Sequence, residues 1–365
     1  MDILRHFDFE PAGSKLAELE TPVPVIDIAV VERNLRRWQA RCDASGIANR
    51  PHIKTHKLVA LAKAQMELGA KGITVQKLGE AEVMAEAGIS DMLLTFNVVG
   101  RPKLDRLAAL MRRTAIQVVA DNEAMLEGLS YAASQAGRDL AVMVECDTGM
   151  GRNGVQSPAD AIRLAQIIDR MQGLAFGGLM TLPKNGGRGQ MGNFLEAACE
   201  GLTKAGLDVA AVSTGGSPDM WQDEGLARVT EYRAGTYVYH DRMQMAHGSA
   251  APEDCAFAVL STVVSVPTAN RAMLDAGSKS LTSDLMGLEG YGEVRGLSGA
   301  RVYAMSEEHG FLDISALNDK PKVGDLVKIT PNHVCPVTNL FDRVVFVRGD
   351  EVLGAAKVDA RGLVQ

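Results

Sequence analysis

A lysine at the end of a predicted strand is the first residue whose surroundings point to chemistry. Lys54 lies in the heptapeptide Pro-His-Ile-Lys-Thr-His-Lys at residues 51–57, and we predict a strand over His52–Lys54. A lysine at the end of a core strand is shielded from bulk water, which favours its neutral amine. A neutral amine can form an imine with an aldehyde cofactor. The competing interpretation is a strand-end lysine whose ammonium group extends into solvent.

Three segments combine glycine with side chains that bind anions. Residues 145–155 read Glu-Cys-Asp-Thr-Gly-Met-Gly-Arg-Asn-Gly-Val, and Arg152 offers a planar set of donors for a carboxylate or phenolate oxygen. Residues 213–217 (Ser-Thr-Gly-Gly-Ser) and 233–237 (Arg-Ala-Gly-Thr-Tyr) follow the last two predicted strands. Barrel enzymes often bind phosphate at that position, through backbone N–H groups and hydroxyls. Each segment could instead be an ordinary turn.

A further segment, Asn-His-Val-Cys-Pro at residues 332–336, carries two metal-binding residue types. Alternate residues of a strand face the same way, so His333 and Cys335 on a strand would present an imidazole and a thiolate together. This pair suits zinc, and two protein ligands leave positions open for water and substrate. Taken alone, the short His-x-Cys pattern favours two half-buried core residues.

The elements that must position these residues alternate between short apolar runs and amphipathic segments, which is typical of a parallel sheet. Eight such repeats predict an α/β fold with a (β/α)8 TIM-type barrel, whose active site lies at the carboxyl ends of its strands. A doubly wound sheet would need a glycine-rich dinucleotide turn after its first strand, and none is present. The eight predicted strands are His52–Lys54, Ile73–Gln76, Met92–Phe96, Ile116–Ala120, Leu140–Cys146, Ala175–Met180, Val209–Thr214 and Thr230–Tyr237.

After about residue 245 the alternation stops, and strands linked by turns follow. We therefore expect a barrel domain over residues 21–245 and a mostly β domain formed by residues 1–20 together with 246–365. The predicted strands of the β domain are Phe257–Val266, Arg271–Asp275, Ala300–Ser306, Gly324–Ile329 and Asp342–Arg348.

The composition indicates a globular chain with a substantial core. Of 365 residues, 46% are hydrophobic and 23% are charged, and the net charge is −7. The acidic balance, without a Lys/Arg run, argues against nucleic-acid binding. The N-terminal residues do not resemble a signal peptide, and no stretch reaches the roughly 20 apolar residues that span a bilayer. We expect a cytoplasmic protein whose five scattered cysteines are free thiols or ligands.

Together, these motifs resemble the family of D-threonine aldolases and eukaryotic-type D-serine dehydratases. This family belongs to the alanine-racemase-like, fold type III enzymes that use pyridoxal 5'-phosphate. The resemblance runs over nearly the whole chain, and the heptapeptide around Lys54 is its most specific element. Further similar stretches are residues 76–82, 147–155, 231–237 and 331–336, the last with Asn339 and Leu340.

The resemblance implies a role for each motif. Lys54 would hold the cofactor as an imine and act as the catalytic lysine, and His333 and Cys335 would bind a divalent metal, zinc or manganese. Arg152 would contact the cofactor ring or the substrate carboxylate, and the protein would work as a homodimer. The implied cofactor-binding residues are Lys54, Gln76, Arg152, Thr214, Gly215, Gly235, Thr236 and Tyr237, and four of them (Thr214, Gly215, Gly235 and Thr236) would hold the phosphate.

One segment departs from the family pattern. Many members carry a Tyr-x-Gly-His-type stretch after the sixth strand, whose residues lie near the substrate. Here residues 178–187 read Gly-Leu-Met-Thr-Leu-Pro-Lys-Asn-Gly-Gly, without Tyr or His. The usual proton-transfer group of the family is therefore missing from this segment, and Lys184 is a candidate substitute.

The implied substrate is a small D-configured β-hydroxy amino acid. Retro-aldol cleavage to glycine and an aldehyde is placed slightly ahead of dehydration of D-serine or 3-hydroxy-D-aspartate. A racemase would not need the pair His333 and Cys335. A non-catalytic pyridoxal-phosphate carrier would lack the added β domain. His309 is either a site residue of the β domain or a turn histidine, and the sequence assigns no role to Lys279 or Asp284.

Overall fold

The computed structural model describes residues 3–365, and the chain divides into two compact units. We call them the β unit (Met1–Arg37, Thr55–Leu61 and Thr236–Gly362) and the barrel unit (Trp38–Lys54, Ala62–Gly235 and Leu363–Gln365). Within residues 3–365, no helix combines the length and the apolar character that crossing a membrane requires.

The chain forms ten α-helices over the described residues, besides several short 3-10 helices. The α-helices are α1 (Ile28–Ser45), α2 (Val59–Glu67), α3 (Leu78–Glu86), α4 (Arg101–Met111), α5 (Leu126–Ala136), α6 (Pro158–Arg170), α7 (Arg188–Lys204), α8 (Arg242–Ala246), α9 (Ser278–Leu281) and α10 (Val334–Leu340). The strands are β1 (Val23–Asp27), β2 (Ala48–Asn49), β3 (Ile73–Val75), β4 (Met92–Leu94), β5 (Ile116–Ala120), β6 (Leu140–Cys146), β7 (Leu174–Thr181), β8 (Val212–Thr214), β9 (Glu231–Tyr232), β10 (Phe257–Thr268), β11 (Arg271–Leu274), β12 (Glu293–Val294), β13 (Arg301–Met305), β14 (Gly310–Asp313), β15 (Leu326–Thr330), β16 (Arg343–Arg348) and β17 (Glu351–Lys357).

The barrel unit contains one sheet of eight parallel strands in the order β2-β9-β8-β7-β6-β5-β4-β3. The segment after β2 reaches β3, because Thr74 N donates to Pro51 O at 2.8 Å and a parallel bridge joins His52 to Thr74. These contacts link the two ends of the sheet order. The predicted TIM-type architecture is confirmed, and β5 and β6 have the predicted bounds.

The prediction of the first barrel strand is wrong. His52–Lys54 does not form a strand; β2 ends at Asn49, and Ile53–Thr55 is a short 3-10 helix. Hydrogen bonding to the neighbouring strands continues past Pro51, since His52 N donates to Ala234 O at 2.9 Å, and the chain then turns into the 3-10 helix. Lys54 therefore lies on a turn beyond the strand end.

The barrel interior is set by a cluster of buried side chains on consecutive strands. Leu93, Val119, Met143 and Met180 come from β4 to β7, and Ala211 precedes β8. Because side chains alternate along a strand, the residue two positions further on faces the same way. On β6 that residue is Glu145, so its carboxyl lies inside the barrel, toward the carboxyl end.

The β unit contains a nine-stranded sheet with the path β13-β14-β11-β10-β1-β16-β17, and β15 pairs with both β10 and β12. The strands β1, β12, β14 and β17 are absent from the sequence prediction. The N-terminal segment packs on this sheet, where Leu16 and Leu19 contact a core that includes Val25 and Val345.

The structure also corrects the expectation of a strand at His333 and Cys335. His333 precedes α10 and Cys335 lies in its first turn. Pro336 lacks an N–H, which a strand ladder needs but the first turn of a helix does not. The buried Asp241 carboxylate accepts the N–H of Val334 at 3.0 Å and so fixes the start of the helix.

Candidate active site

In the barrel unit, Lys54 is half-buried and its amine lies beside an amide. Lys54 Nζ donates to Gln76 Oε1 at 3.5 Å, and His52 Nε2 lies 3.0 Å from the same oxygen. Gln76 Nε2 donates to the carbonyl of Thr95 at 3.1 Å. The nitrogen of the Gln76 amide is therefore engaged elsewhere, and its oxygen must face Lys54. The structure thus brings together two of the predicted cofactor-binding residues.

Glu145 is a residue to which the sequence motifs gave no role. Its side chain is only 3% exposed, and Oε2 has no hydrogen-bond partner among residues 3–365. Burial raises the pKa of Glu145 to about 7, although the charges of Arg152 and Arg233 act to lower it. The available signal was a single carboxylate in the otherwise apolar run Leu-Ala-Val-Met-Val-Glu-Cys.

Arg233 lies at the carboxyl ends of two neighbouring strands. Its guanidinium donates to Ser213 Oγ at 2.7 Å and to the carbonyl of Thr181 at 2.9 Å. Burial lowers the pKa of Arg233 to about 10, even though Glu231 and Glu145 act to raise it. Arg233 remains a cation at neutral pH and places a positive charge near Glu145.

The predicted contact residue Arg152 is exposed, on the loop that follows β6. Asp147 shapes this loop, since its carboxylate accepts the N–H groups of Gly149 at 2.9 Å and Gly151 at 3.1 Å. Partial burial opposes these bonds, which nevertheless lower the pKa of Asp147. The loop thereby holds a solvent-accessible cation beyond the barrel strands.

The glycine-rich segment after β8 forms a tight backbone turn. Gly216 has a φ of 111°, which strains any other residue, and a Cβ on Gly215 would lie 3.3 Å from the Cβ and carbonyl oxygen of Arg233. The buried hydroxyl of Thr214 donates to Met191 Sδ at 3.1 Å. The Thr214 hydroxyl is therefore engaged, and the backbone at Gly215 and Gly216 is the part of this turn that can approach an anion closely.

The last predicted phosphate segment is divided between the two units. Gly235 is a buried residue of the barrel unit, whereas Thr236 and Tyr237 belong to a short 3-10 helix of the β unit. Thr236 is half-buried and Tyr237 is buried.

The barrel residues fit pyridoxal phosphate by their chemistry. Lys54 supplies an amine for the aldehyde, and the backbone at Gly215 and Gly216 forms a turn that a Cβ would crowd. Glu145 supplies a buried acceptor whose partner a bound ligand can provide. The proposed substitute Lys184 is exposed, on the loop after β7.

In the β unit, His333 and Cys335 lie next to each other at the start of α10. Their side chains are hydrogen-bonded, and Thr55 Oγ1 lies 3.2 Å from Cys335 Sγ. His333 Nδ1 lies 3.0 Å from Asp284 Oδ2. Burial acts to lower the pKa of His333, but the bonds to Cys335 and Asp284 raise it to about 9.

The donor set of this pair fits a divalent metal with open coordination positions. Imidazole and thiolate are both ligands of zinc. Within the described part of the chain, no group of three or more His, Cys, Asp or Glu side chains is arranged to hold a metal. A metal at His333 and Cys335 would therefore keep positions for water and substrate, as catalytic sites do.

Comparison with known families agrees with this fold. Residues 26–243 match the family described as alanine racemase, N-terminal domain, and residues 256–347 match the putative serine dehydratase domain. The first match covers more than half of the 365 residues. The chain therefore belongs to the alanine-racemase-like, fold type III class of pyridoxal-phosphate enzymes, as its motifs predict.

Within this class, the chain lies in the branch that includes D-threonine aldolases. It is 35% identical to a D-threonine aldolase from Arthrobacter sp., over 96% of this chain and 95% of that protein. The crystal structure of a D-threonine aldolase from Filomicrobium marinum superposes with a TM-score of 0.91 at 31% identity, covering 98% of this chain and 100% of that one.

A dehydratase has a similar structure. The D-threo-3-hydroxyaspartate dehydratase of Delftia sp. matches with a TM-score of 0.84 at 31% identity, over 94% of this chain and 99% of that one. A variant of such a dehydratase with a cysteine-to-alanine substitution is described as being in the metal-free form.

Proposed function

We propose that this protein is a pyridoxal-phosphate- and metal-dependent lyase that cleaves D-β-hydroxy-α-amino acids to glycine and an aldehyde. The contact between His333 and Cys335 carries the proposal. A lyase that acts at a β-hydroxyl can use a metal there, whereas a racemase has no such need. The similarity to D-threonine aldolases over nearly the whole chain supports the aldolase reaction.

Lys54 is the residue that we propose binds the cofactor aldehyde and moves the proton at the substrate Cα. When bound, pyridoxal phosphate supplies an electron-accepting ring that stabilises negative charge at that carbon. Gln76 Oε1 orients the lysine amine through the 3.5 Å contact. Phosphate binding falls to the segments around Thr214 and Gly215 and around Gly235, Thr236 and Tyr237.

Arg152 is suited to bind the substrate carboxylate, because its guanidinium is accessible and permanently charged. The Asp147 carboxylate fixes the loop that carries it. The barrel unit thus supplies an amine for the cofactor and a cation for the anionic end of an amino acid.

His333 and Cys335 are the metal ligands that we propose. A divalent ion bound there supplies Lewis-acid polarisation of a hydroxyl group. The thiolate favours zinc, with manganese as the alternative. A related dehydratase is described in a metal-free form as a cysteine-to-alanine variant, which supports the choice of a cysteine as a metal ligand.

Product analysis tests the proposed reaction. The purified protein is incubated with D-threonine, D-phenylserine, D-serine and D-threo-3-hydroxyaspartate, with and without chelator, and L-threonine serves as the stereochemical control. We expect glycine and an aldehyde from the D-β-hydroxy substrates, with loss of activity in chelator. Release of a keto acid and ammonia instead would contradict the aldolase assignment.

Dehydration is the second candidate function. It is favoured by the similarity of the chain to the Delftia dehydratase, which also spans both matched regions. The same binding groups serve either reaction, since a polarised β-hydroxyl can lose its proton or leave. Ammonia release from D-threo-3-hydroxyaspartate or D-serine distinguishes this candidate.

We also propose that the functional division follows residues 21–245 for the cofactor and residues 1–20 with 246–365 for the metal, and that the protein is a homodimer. A particle of twice the chain mass of 38.9 kDa in light scattering supports the homodimer. A particle of one chain mass contradicts it.

A further inference from the structure

We propose that Asp284 is a positioning residue that holds His333 in the ring orientation and tautomer required for metal binding. The inference rests on the proposed metal site and concerns an aspartate outside the ligand pair. Asp284 lies on the loop between α9 and β12, 49 residues before His333 in the chain.

The contact between the two side chains defines which nitrogen of the imidazole faces the carboxylate and which faces away from it. Asp284 Oδ2 lies 3.0 Å from His333 Nδ1. An ionised carboxylate can only accept a hydrogen bond, so Nδ1 must carry the proton. In the neutral ring, Nε2 then holds the lone pair that a metal needs.

The loop that carries Asp284 is fastened to the residue just before His333. Asn332 Nδ2 donates to the carbonyls of Gly290 at 2.8 Å and Asp284 at 3.2 Å. Arg242 donates to the carbonyl of Glu289 at 2.6 Å and to Asn332 Oδ1 at 3.0 Å. Both ends of the loop segment 284–290 are therefore hydrogen-bonded to Asn332, the residue before His333.

These backbone hydrogen bonds distinguish the Asp284–His333 pair from an ordinary ion pair at the protein surface. The Asp284 side chain is 48% exposed and the His333 side chain 25% exposed, and a pair of that exposure usually contributes little by itself. Here the backbone of the loop is fixed by the buried Asn332. Little conformational entropy is therefore lost when the Asp284 carboxylate contacts the imidazole.

The backbone between His333 and Cys335 is fixed by Asp241. This carboxylate is fully buried and accepts the N–H groups of Val334 and Gln244, each at 3.0 Å. Asp241 thus fixes the start of α10, directly after His333, and Asp284 fixes the orientation of the His333 ring. A carboxylate that orients a metal-binding imidazole typically contributes 10- to 100-fold in metal affinity.

Metal affinity measured by titration calorimetry tests the proposal. The full-length protein, loaded with pyridoxal phosphate, is titrated with Zn²⁺ and separately with Mn²⁺. We expect Asp284→Ala to raise the dissociation constant by about 10- to 100-fold. Asp284→Asn keeps an acceptor oxygen and should recover most of that loss. Ser283→Ala, an exposed neighbour in the same loop, is the matched control and should bind like the wild type.

The cofactor absorbance and the titration of the wild type distinguish an error in the role of Asp284 from an error in the metal site. The visible absorbance of the bound cofactor should be unchanged in all three variants, which shows that the barrel unit is intact. If the wild type binds metal and Asp284→Ala binds it equally tightly, the role of Asp284 is wrong while the metal site stands. If the wild type binds neither ion, both the metal site and the role of Asp284 are wrong.

Discussion

Gln76 presents its amide oxygen to the amine of Lys54 at 3.5 Å, while its amide nitrogen is held by the carbonyl of Thr95. This arrangement fixes which atom of the amide faces the amine. Because an amide oxygen carries no charge, this contact favours the ammonium form of Lys54 less than a contact with a carboxylate would.

The first prediction concerns the lysine itself. Lys54→Ala should remove the visible absorbance of the lysine–cofactor imine, because we propose that the Lys54 amine forms it. The measurement is an absorbance spectrum of the protein after incubation with pyridoxal phosphate and gel filtration. Lys204→Ala, an exposed lysine of α7, is the control and should keep the band. A band retained in Lys54→Ala would show that another residue holds the cofactor.

The second prediction concerns the amide. Gln76→Ala should keep the imine band but slow its formation and lower kcat by about 2- to 10-fold, as expected for one neutral hydrogen bond. Stopped-flow absorbance after mixing with pyridoxal phosphate measures the first effect. Unchanged rates for both steps would mean that Gln76 only fills space beside Lys54.

The third prediction tests whether the proposed metal ligands, His333 and Cys335, can be impaired without loss of cofactor binding. His333→Ala should keep the imine band and lose at least tenfold in turnover, because the second ligand alone binds metal weakly. His309→Ala, an exposed histidine of the β unit, is the matched control. The readouts are metal content after dialysis and product release from D-threonine. Full activity with no bound metal would remove the metal from the mechanism.

The sequence motifs predicted the architecture because each depends on local patterning. The β5 and β6 runs are apolar and bounded by turn residues, and their limits agree with the structure. Proline explains one local error, because Pro336 lacks the N–H that a strand ladder needs and suits the first turn of α10. Near Lys54 the ladder continues to His52, and the chain then turns into a 3-10 helix that the short pattern does not reveal.

Two residues of the candidate site could not be assigned from sequence for a different reason. Asp284 meets His333 only because the loop 284–290 folds back through Asn332, a contact across 48 residues of chain. Glu145 was visible as an isolated carboxylate in an apolar run. Its burial and its unpartnered oxygen depend on the packing of neighbouring strands, which the pattern does not contain.

The last prediction follows from the raised pKa of Glu145. The unfolded chain releases this proton near pH 4.5, whereas the folded protein retains it until about pH 7. The folded state therefore binds more protons between these values, and the free energy of unfolding falls as the pH rises through that window. Above pH 7 the full loss has been incurred and is about 3 kcal/mol.

Glu145→Gln replaces the carboxyl with a neutral group of the same shape and should remove this dependence. Urea denaturation of the cofactor-free protein at pH 5 and pH 8 measures it. We expect the wild type to lose stability relative to Glu145→Gln between the two pH values, by up to about 3 kcal/mol. Glu86→Gln, an exposed carboxyl of α3, should follow the wild type. Equal slopes for Glu145→Gln and the wild type would mean that the buried carboxyl is already ionised at pH 5, held by Arg233 and Arg152.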